Sequence, residues 1–205
     1  MLELRALTCE RGGRVLFANL NCSAPSGGLL RVQGANGSGK TSLLRMIAGL
    51  LPPTLGQVLW RGETAARQAE EFNRQLVYLG HAAALKDDLS AQENLEMACL
   101  LGGLAVSPDQ TRLALKQAGL AGRDRMPARQ LSQGQRRRVA LARLTLAASI
   151  PLWVLDEPFN ALDTGATGWL CGLITAQLAR GGVVVLTSHQ ALALDQLPSQ
   201  AVVAL

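Results

Sequence analysis

The sequence predicts an α/β fold with a mostly parallel core sheet, an antiparallel β-region at the N-terminus and an inserted helical lobe. Two short, continuously apolar runs, Leu152-Trp153-Val154-Leu155 and Val183-Val184-Val185-Leu186, have the composition of strands buried on both faces. A third run, Leu29-Leu30-Arg31-Val32-Gln33, leads into a Gly-rich turn and then a helical stretch from Thr41 to Leu50. From about Asp88 to Ala148 the β signal disappears, and Leu and Ala recur there at helical spacing.

In chain order, Leu2 to Thr8 and Val15 to Cys22 read as early strands. Gly49 and Pro52-Pro53 close the helix that follows the Gly-rich turn. Gln57-Val58-Leu59-Trp60, with Arg61-Gly62 after it, reads as strand and turn, and Gln75 to Leu79 as another strand. Breaks at Gly102-Gly103, Pro108, Gly119 and Pro127 divide the helical lobe, and Ala201 to Leu205 reads as a last strand. The 205 residues are expected to form a single domain, with an α/β core at about 1–87 and 149–205 and a helical subdomain at about 88–148.

The net charge is +5, and the densest basic cluster is Arg136-Arg137-Arg138. Aromatic residues make up only 3% of the chain and none interleaves with that cluster, so base stacking and a nucleic-acid partner are not expected. The triplet is expected to form a solvated helix face with one Arg turned inward. Cys9, Cys22, Cys99 and Cys171 are scattered, without a Cys-x-x-Cys pair, and read as small buried hydrophobes in a reducing compartment. The N-terminus lacks the pattern of an export signal. The best candidate span, Val139 to Leu155, is interrupted by Arg143 and Pro151, so a cytoplasmic protein is expected.

Gly34-Ala35-Asn36-Gly37-Ser38-Gly39-Lys40-Thr41 fits G-x-x-x-x-G-K-[ST], and it lies between a predicted strand and a predicted helix. The glycines let the backbone fold tightly, so that several N–H groups converge on one anion. The helix adds its positive end, Lys40 a point charge for the outer phosphates, and the Thr41 hydroxyl a ligand for Mg²⁺. Ser42 completes this candidate nucleotide site. Such a cradle implies an NTPase or a kinase.

Asp156-Glu157 follows the buried run Leu152 to Leu155. A carboxylate at a strand end beside a phosphate loop can reach Mg²⁺, the role assigned to Asp156. Glu157, pointing elsewhere, can polarise the attacking water as general base.

Leu131-Ser132-Gln133-Gly134-Gln135 resembles the LSGGQ signature of ABC ATPases. Asn160-Ala161-Leu162-Asp163 resembles that family's D-loop, and Val185-Leu186-Thr187-Ser188-His189 its switch strand and histidine. The resemblance spans the chain and implies a P-loop NTPase fold that hydrolyses ATP with Mg²⁺. It also implies a head-to-tail homodimer, in which Ser132, Gly134, Gln135 and Asp163 of one copy close over nucleotide held by the other. His189 then contacts the γ-phosphate or the attacking water, and joins Glu157 and Lys40 as a catalytic candidate. The residues themselves suggest how the signature could work: Ser132 can cap a helix beginning near Gln135, and Gly134 leaves backbone N–H groups open to a phosphate.

Two positions depart from that pattern. His81, in Val77-Tyr78-Leu79-Gly80-His81, stands where the family usually has the Q-loop Gln, a nucleotide- and metal-facing position. A histidine there gains charge near neutral pH, so an acid-side fall in activity that His81→Gln softens is expected. Arg11 stands where the family has its adenine-stacking aromatic; it could stack by cation–π, with Phe17 as the alternative.

The run from Leu79-Gly80-His81 through Leu85-Lys86-Asp87-Asp88-Leu89-Ser90-Ala91-Gln92-Glu93-Asn94-Leu95 resembles a narrower group, the ATPase subunits of the haem exporter of bacterial cytochrome c maturation. That resemblance implies a peripheral subunit on the cytoplasmic face of the inner membrane, docked on integral membrane permease subunits through Ala82 to Ser90. No haem ligand is evident in the chain. The rival readings are an ABC ATPase for another cargo, a soluble ABC ATPase acting on nucleic acid, a small P-loop kinase and a non-catalytic regulatory subunit.

Overall fold

The structure, a computed structural model, describes residues 1–188, 194 and 200–205. The chain runs β1 (Leu2–Arg11), β2 (Arg14–Ala24), β3 (Leu29–Gln33), α1 (Lys40–Ile47), β4 (Leu55–Trp60), β5 (Glu63–Thr64), α2 (Ala69–Arg74) and β6 (Leu76–Leu79). It continues through α3 (Ala91–Leu101), α4 (Pro108–Gln117), a short 3₁₀ turn (Ala128–Gln130) and α5 (Gln133–Leu146). β7 (Leu152–Leu155), α6 (Thr164–Ala179), β8 (Val183–Thr187) and β9 (Gln200–Ala204) complete it. Two compact units result: Met1–Tyr78, Ile150–Glu157 and Thr175–Leu205 form one, Leu79–Ser149 and Pro158–Ile174 the other.

The first unit holds an antiparallel sheet ordered β2-β1-β4-β5 and a second sheet ordered β6-β7-β8-β3-β9. Strands β1 and β2 form a hairpin whose turn residues, Gly12 and Gly13, have φ of 58° and 72°. That left-handed pair suits the twist of a tight hairpin, and glycine reaches it without a Cβ clash. Along β1, Leu2, Leu4, Leu7 and Cys9 are buried, and Arg5, Glu10 and Arg11 face water. Gly56 is the second residue of β4, where a Cβ would lie 2.3 Å from the Ala6 carbonyl oxygen, so only glycine allows the two strands to approach so closely.

In the second sheet β7, β8, β3 and β9 run parallel, with Leu152 opposite Val183, Leu29 opposite Val184, and Leu29 opposite Gln200. Every residue of β7 and β8 is buried, as their unbroken apolar composition predicts. Parallel strands present their C-terminal ends on one edge of the sheet, the edge where open α/β sheets place their ligands. Asp156, Thr187 and Gly34 therefore emerge there together. Helix α1 sets Leu43, Leu44, Met46 and Ile47 into the core with Val154 and Val185. It ends at Ile47 rather than running to Leu50, and Gly49 just beyond it takes φ of 71°.

In the second unit α3, α4 and α5 bury Leu95, Cys99, Leu115, Val139 and Ala142 in one core. Each of the three opens on a serine whose hydroxyl accepts from the N3 backbone while the N3 side chain returns a bond: Ser90 with Glu93, Ser107 with Gln110, Ser132 with Gln135. Such reciprocal caps satisfy N–H groups that the helix cannot bond itself. The start of α5 lies at Gln133, two residues before the position expected.

One arginine of 136–138 turns inward as expected, Arg137 at 5% exposure; the free solvation expected of the other two is corrected. Its neighbours are half-buried and engaged: Arg136 pairs with Asp87 and donates to the Ala128 carbonyl, and Arg138 leans over the carbonyls of Ala118 and Gly119. α5 packs its flanks as well as its apolar stripe, so the long guanidinium stems are drawn onto the lobe.

Candidate functional site

Gly34 to Gly39 bridge the end of β3 and the start of α1. Gly34, Gly37 and Gly39 take φ of 151°, 82° and 109°, values that side chains rarely adopt. At Gly34 a Cβ would lie 2.6 Å from the Ser38 hydroxyl oxygen and from the Leu205 carbonyl oxygen. The cradle is thus shaped by the absence of side chains. Lys40 turns back over it and donates to the carbonyls of Gly34 (2.8 Å) and Ala35 (3.0 Å). Ser38 Oγ is buried with no hydrogen-bond partner among the described residues. Helix α1 has no side-chain cap and no acidic residue in its first turn, which leaves its positive end for an external anion. Asn36 and Gly37 are exposed at the rim.

The acidic pair meets this loop. Thr41 Oγ1 donates to Asp156 Oδ2 at 2.8 Å, joining the helix after β3 to the end of β7. The other Asp156 oxygen, Oδ1, accepts from Thr187 Oγ1 at 2.9 Å, and the same Thr187 hydroxyl accepts from the Glu157 backbone N–H at 2.7 Å. Thr187 is fully buried at the end of β8. Glu157 has φ of 49°, a strained left-handed conformation for a glutamate, and Thr187 holds its amide there. Asp156 is 1% exposed and Glu157 half-exposed, so the sheet edge presents one buried and one accessible carboxylate. Burial pushes the Tyr78 hydroxyl above the ordinary tyrosine value; a hydrogen bond with Arg45 works against this and the Asp156 charge adds to it.

The sequence motif contains Thr187 but assigns it no role. The available signal was a hydroxyl closing a strand of four aliphatic residues, where a buried polar group needs a partner. Ser42, counted with the nucleotide site, is half-buried in the first turn of α1. Arg11 is exposed at the tip of the β1–β2 hairpin. Phe17 lies against the loop: a Cβ on Gly39 would be 3.2 Å from its ring. His189 lies outside the described residues.

His81, Ser132, Gly134, Gln135 and Asp163 all belong to the second unit. Ser132 Oγ accepts from the Gln135 N–H, and the Gln135 side chain accepts from the Ser132 N–H, so both are tied into the helix cap. A Cβ on Gly134 would lie 2.5 Å from the carbonyl oxygen of Ala161. Close approach to this left-handed D-loop residue (φ 62°) thus accounts for the glycine. Asp163 Oδ1 accepts from the Ala166 N–H and caps α6. His81 is exposed, and its carbonyl accepts from Arg137 at 3.2 Å.

The family model described as ABC transporter matches residues 17–160, which span the loop, the signature and the acidic pair. The chain belongs to the ABC transporter family. Within it, the relatives include the cytochrome c biogenesis ATP-binding export protein CcmA of Dechloromonas aromatica (strain RCB), 51% identical over 93% of both chains. The CcmA protein of Nitrosomonas europaea is 49% identical over 95% of this chain and 91% of its own. Among solved structures, a putative ABC transporter ATP-binding protein from Pyrococcus furiosus shares the fold at TM-score 0.83 and 24% identity, covering 98% of this chain and 96% of its own. A dimeric ATP-binding cassette in a post-hydrolysis state, bound to ADP and Pi, matches at TM-score 0.80 and 25% identity over 93% and 88%. This ABC protein is therefore an ATPase, and it shares the α/β fold of these solved cassettes. No helix among its described residues is long and apolar enough to cross a membrane.

Proposed function

We propose that this chain is the ATP-driven subunit of a membrane export complex serving cytochrome c biogenesis, with haem handling as the work it powers. The observation that carries the reading is the kinship over nearly the whole chain with relatives named CcmA, combined with a phosphate loop and acidic pair joined through Thr41 and Asp156. The complex partners are integral membrane permease subunits, and the chain sits peripherally on the cytoplasmic face of the inner membrane. Ala82 to Ser90 is the segment proposed to meet them.

In turnover, the loop amides of Gly34 to Lys40 and the end of α1 bind the phosphates, and Lys40 exchanges its two loop carbonyls for phosphate oxygens. The unpartnered Ser38 hydroxyl and the bare N-terminus of α1 fit an anion of this kind. The hydroxyl of Thr41 and the carboxylate of Asp156, already in contact, are an oxygen donor pair that suits Mg²⁺, and His81 keeps the part in turnover that its place in the sequence implies. When bound, that ion would neutralise phosphate charge as the terminal bond breaks. Glu157 accepts the proton of the attacking water, and His189 orients it. Ser132, Gly134, Gln135 and Asp163 act on nucleotide held by a second copy, so the working form is a head-to-tail homodimer.

The test is restoration of c-type cytochromes in cells lacking this chain, scored by covalently bound haem. The intact chain should restore them and Glu157→Gln should not; equal restoration by both would remove ATP hydrolysis from the reading. Membrane association that appears only when the permease subunits are co-expressed would support the docking; sedimentation of the lone chain with membranes would count against it.

A further inference from the structure

We propose that Arg137 is a positioning residue for ATP turnover: it pins the backbone at Gly80 and His81 to the first turns of α5, so that His81 and the signature move as one piece. Its Nη1 donates to the Gly80 carbonyl at 2.8 Å and to the His81 carbonyl at 3.2 Å, from a position only 5% exposed. Bonds from a charged donor in so dry a place are stronger than neutral ones, and a planar guanidinium fixes their direction. Arg137 stands on the helix whose N-cap is Ser132, so the same rigid element carries the signature and grips the His81 backbone.

Downstream, the segment is gripped a second time. Arg136 donates to Asp87 at 2.6 Å and Arg129 to Asp88 at 2.6 Å. The buried Asn94 accepts from the Lys86 N–H and donates to the carbonyls of Lys86, Leu89 and Ser90. Between the two grips run Ala82, Ala83, Ala84 and Leu85, and Ala84 takes a left-handed φ of 53°. A span this short and this constrained leaves little slack, so a displacement of α5 is passed to His81 rather than absorbed. Arg136 and Asp87 are part-exposed and add little by themselves. Arg137 is the buried member and the one that touches the His81 residue.

The proposal rests on the role given to His81 above, and the test separates the two. In the full chain, Arg137→Met, His81→Ala and the double variant are compared for kcat, KM and affinity for a fluorescent ATP analogue. Arg137→Met should lower kcat by roughly ten- to hundredfold, as expected when a reacting group is misplaced. Affinity should stay within about threefold, because the phosphate loop belongs to the other unit. In the His81→Ala background the same change should cost less than about twofold more, since residues that act through one another are not additive. Arg137→Lys, which keeps charge but not the planar fork, should recover part of the loss; it carries the same cycle if Arg137→Met does not fold. Losses that multiply in the double variant, or wild-type turnover of Arg137→Met, would overturn the proposal while leaving His81 in place. Wild-type turnover of His81→Ala would remove the role of His81 and this proposal with it.

Discussion

Replacing Thr187 by valine keeps the shape of a fully buried side chain and deletes one hydroxyl. That hydroxyl makes two bonds, donating to Asp156 Oδ1 at 2.9 Å and accepting from the Glu157 N–H at 2.7 Å. A hydrogen bond to a charged group contributes about 1.5–3 kcal/mol, and stranding a buried N–H costs about 1–3 kcal/mol. Taking a loss of about 3 kcal/mol, toward the low end, the melting temperature should fall by roughly 6–12 °C for a chain of this size. The catalytic effect should be separable. Glu157 loses the bond that holds its left-handed backbone, so turnover should fall by roughly ten- to hundredfold. Lys40 and its loop are untouched, so affinity for ATP measured without Mg²⁺ should not change. Phosphate release and thermal unfolding of Thr187→Val and Thr187→Ser, measured side by side, decide the matter, with serine expected to restore most of both losses. Turnover within about twofold of wild type in the valine variant would refute the reasoning, because a loss that small leaves no part for the hydroxyl in placing Glu157.

Glu157→Gln should bind ATP normally and lose roughly two to four orders of magnitude in turnover, read as phosphate release against nucleotide affinity; near-normal hydrolysis would take the general-base role from Glu157. Ser132→Ala removes the N-cap of α5 and should destabilise the chain by about 1 kcal/mol; an unchanged urea midpoint would show the cap to be idle. Burial pushes the thiols of Cys9, Cys22 and Cys99 above the ordinary thiol value of 9.0, and the Tyr78 hydroxyl also rises. The unfolded chain therefore releases these protons first, so stability is intact below pH 9.0 and falls as pH climbs toward the folded values. A urea midpoint no lower at alkaline pH, or a Cys99→Ala variant whose alkaline slope is as steep as wild type's, would contradict this.

The parts of the fold legible in the sequence are those whose cause is local. The loop at Gly34 to Thr41 needs backbone freedom at fixed offsets, and β7 and β8 are short apolar runs that cannot sit anywhere but inside. The helix starts at Ser90, Ser107 and Ser132 each show Ser-x-x-Glu or Ser-x-x-Gln, the reciprocal-cap pattern, although only Ser132 was singled out as a cap. Helix α6 was not read: Thr164–Ala179 is apolar around much of its circumference and interrupted by three interior glycines, so no amphipathic period stands out. Helix α2 escaped for the opposite reason, being six residues long, largely polar, and anchored by the burial of Phe72. The two positions that tie the site together, Thr187 and Arg137, act on groups 30 and 57 residues away in the chain, and no local spacing reveals such partners.

On the reading proposed above, two copies close head-to-tail over ATP, and light scattering of Glu157→Gln at saturating Mg-ATP is the sharpest check. The mass expected is that of two chains with nucleotide and of one chain without it. A single-chain mass with the nucleotide bound would contradict it.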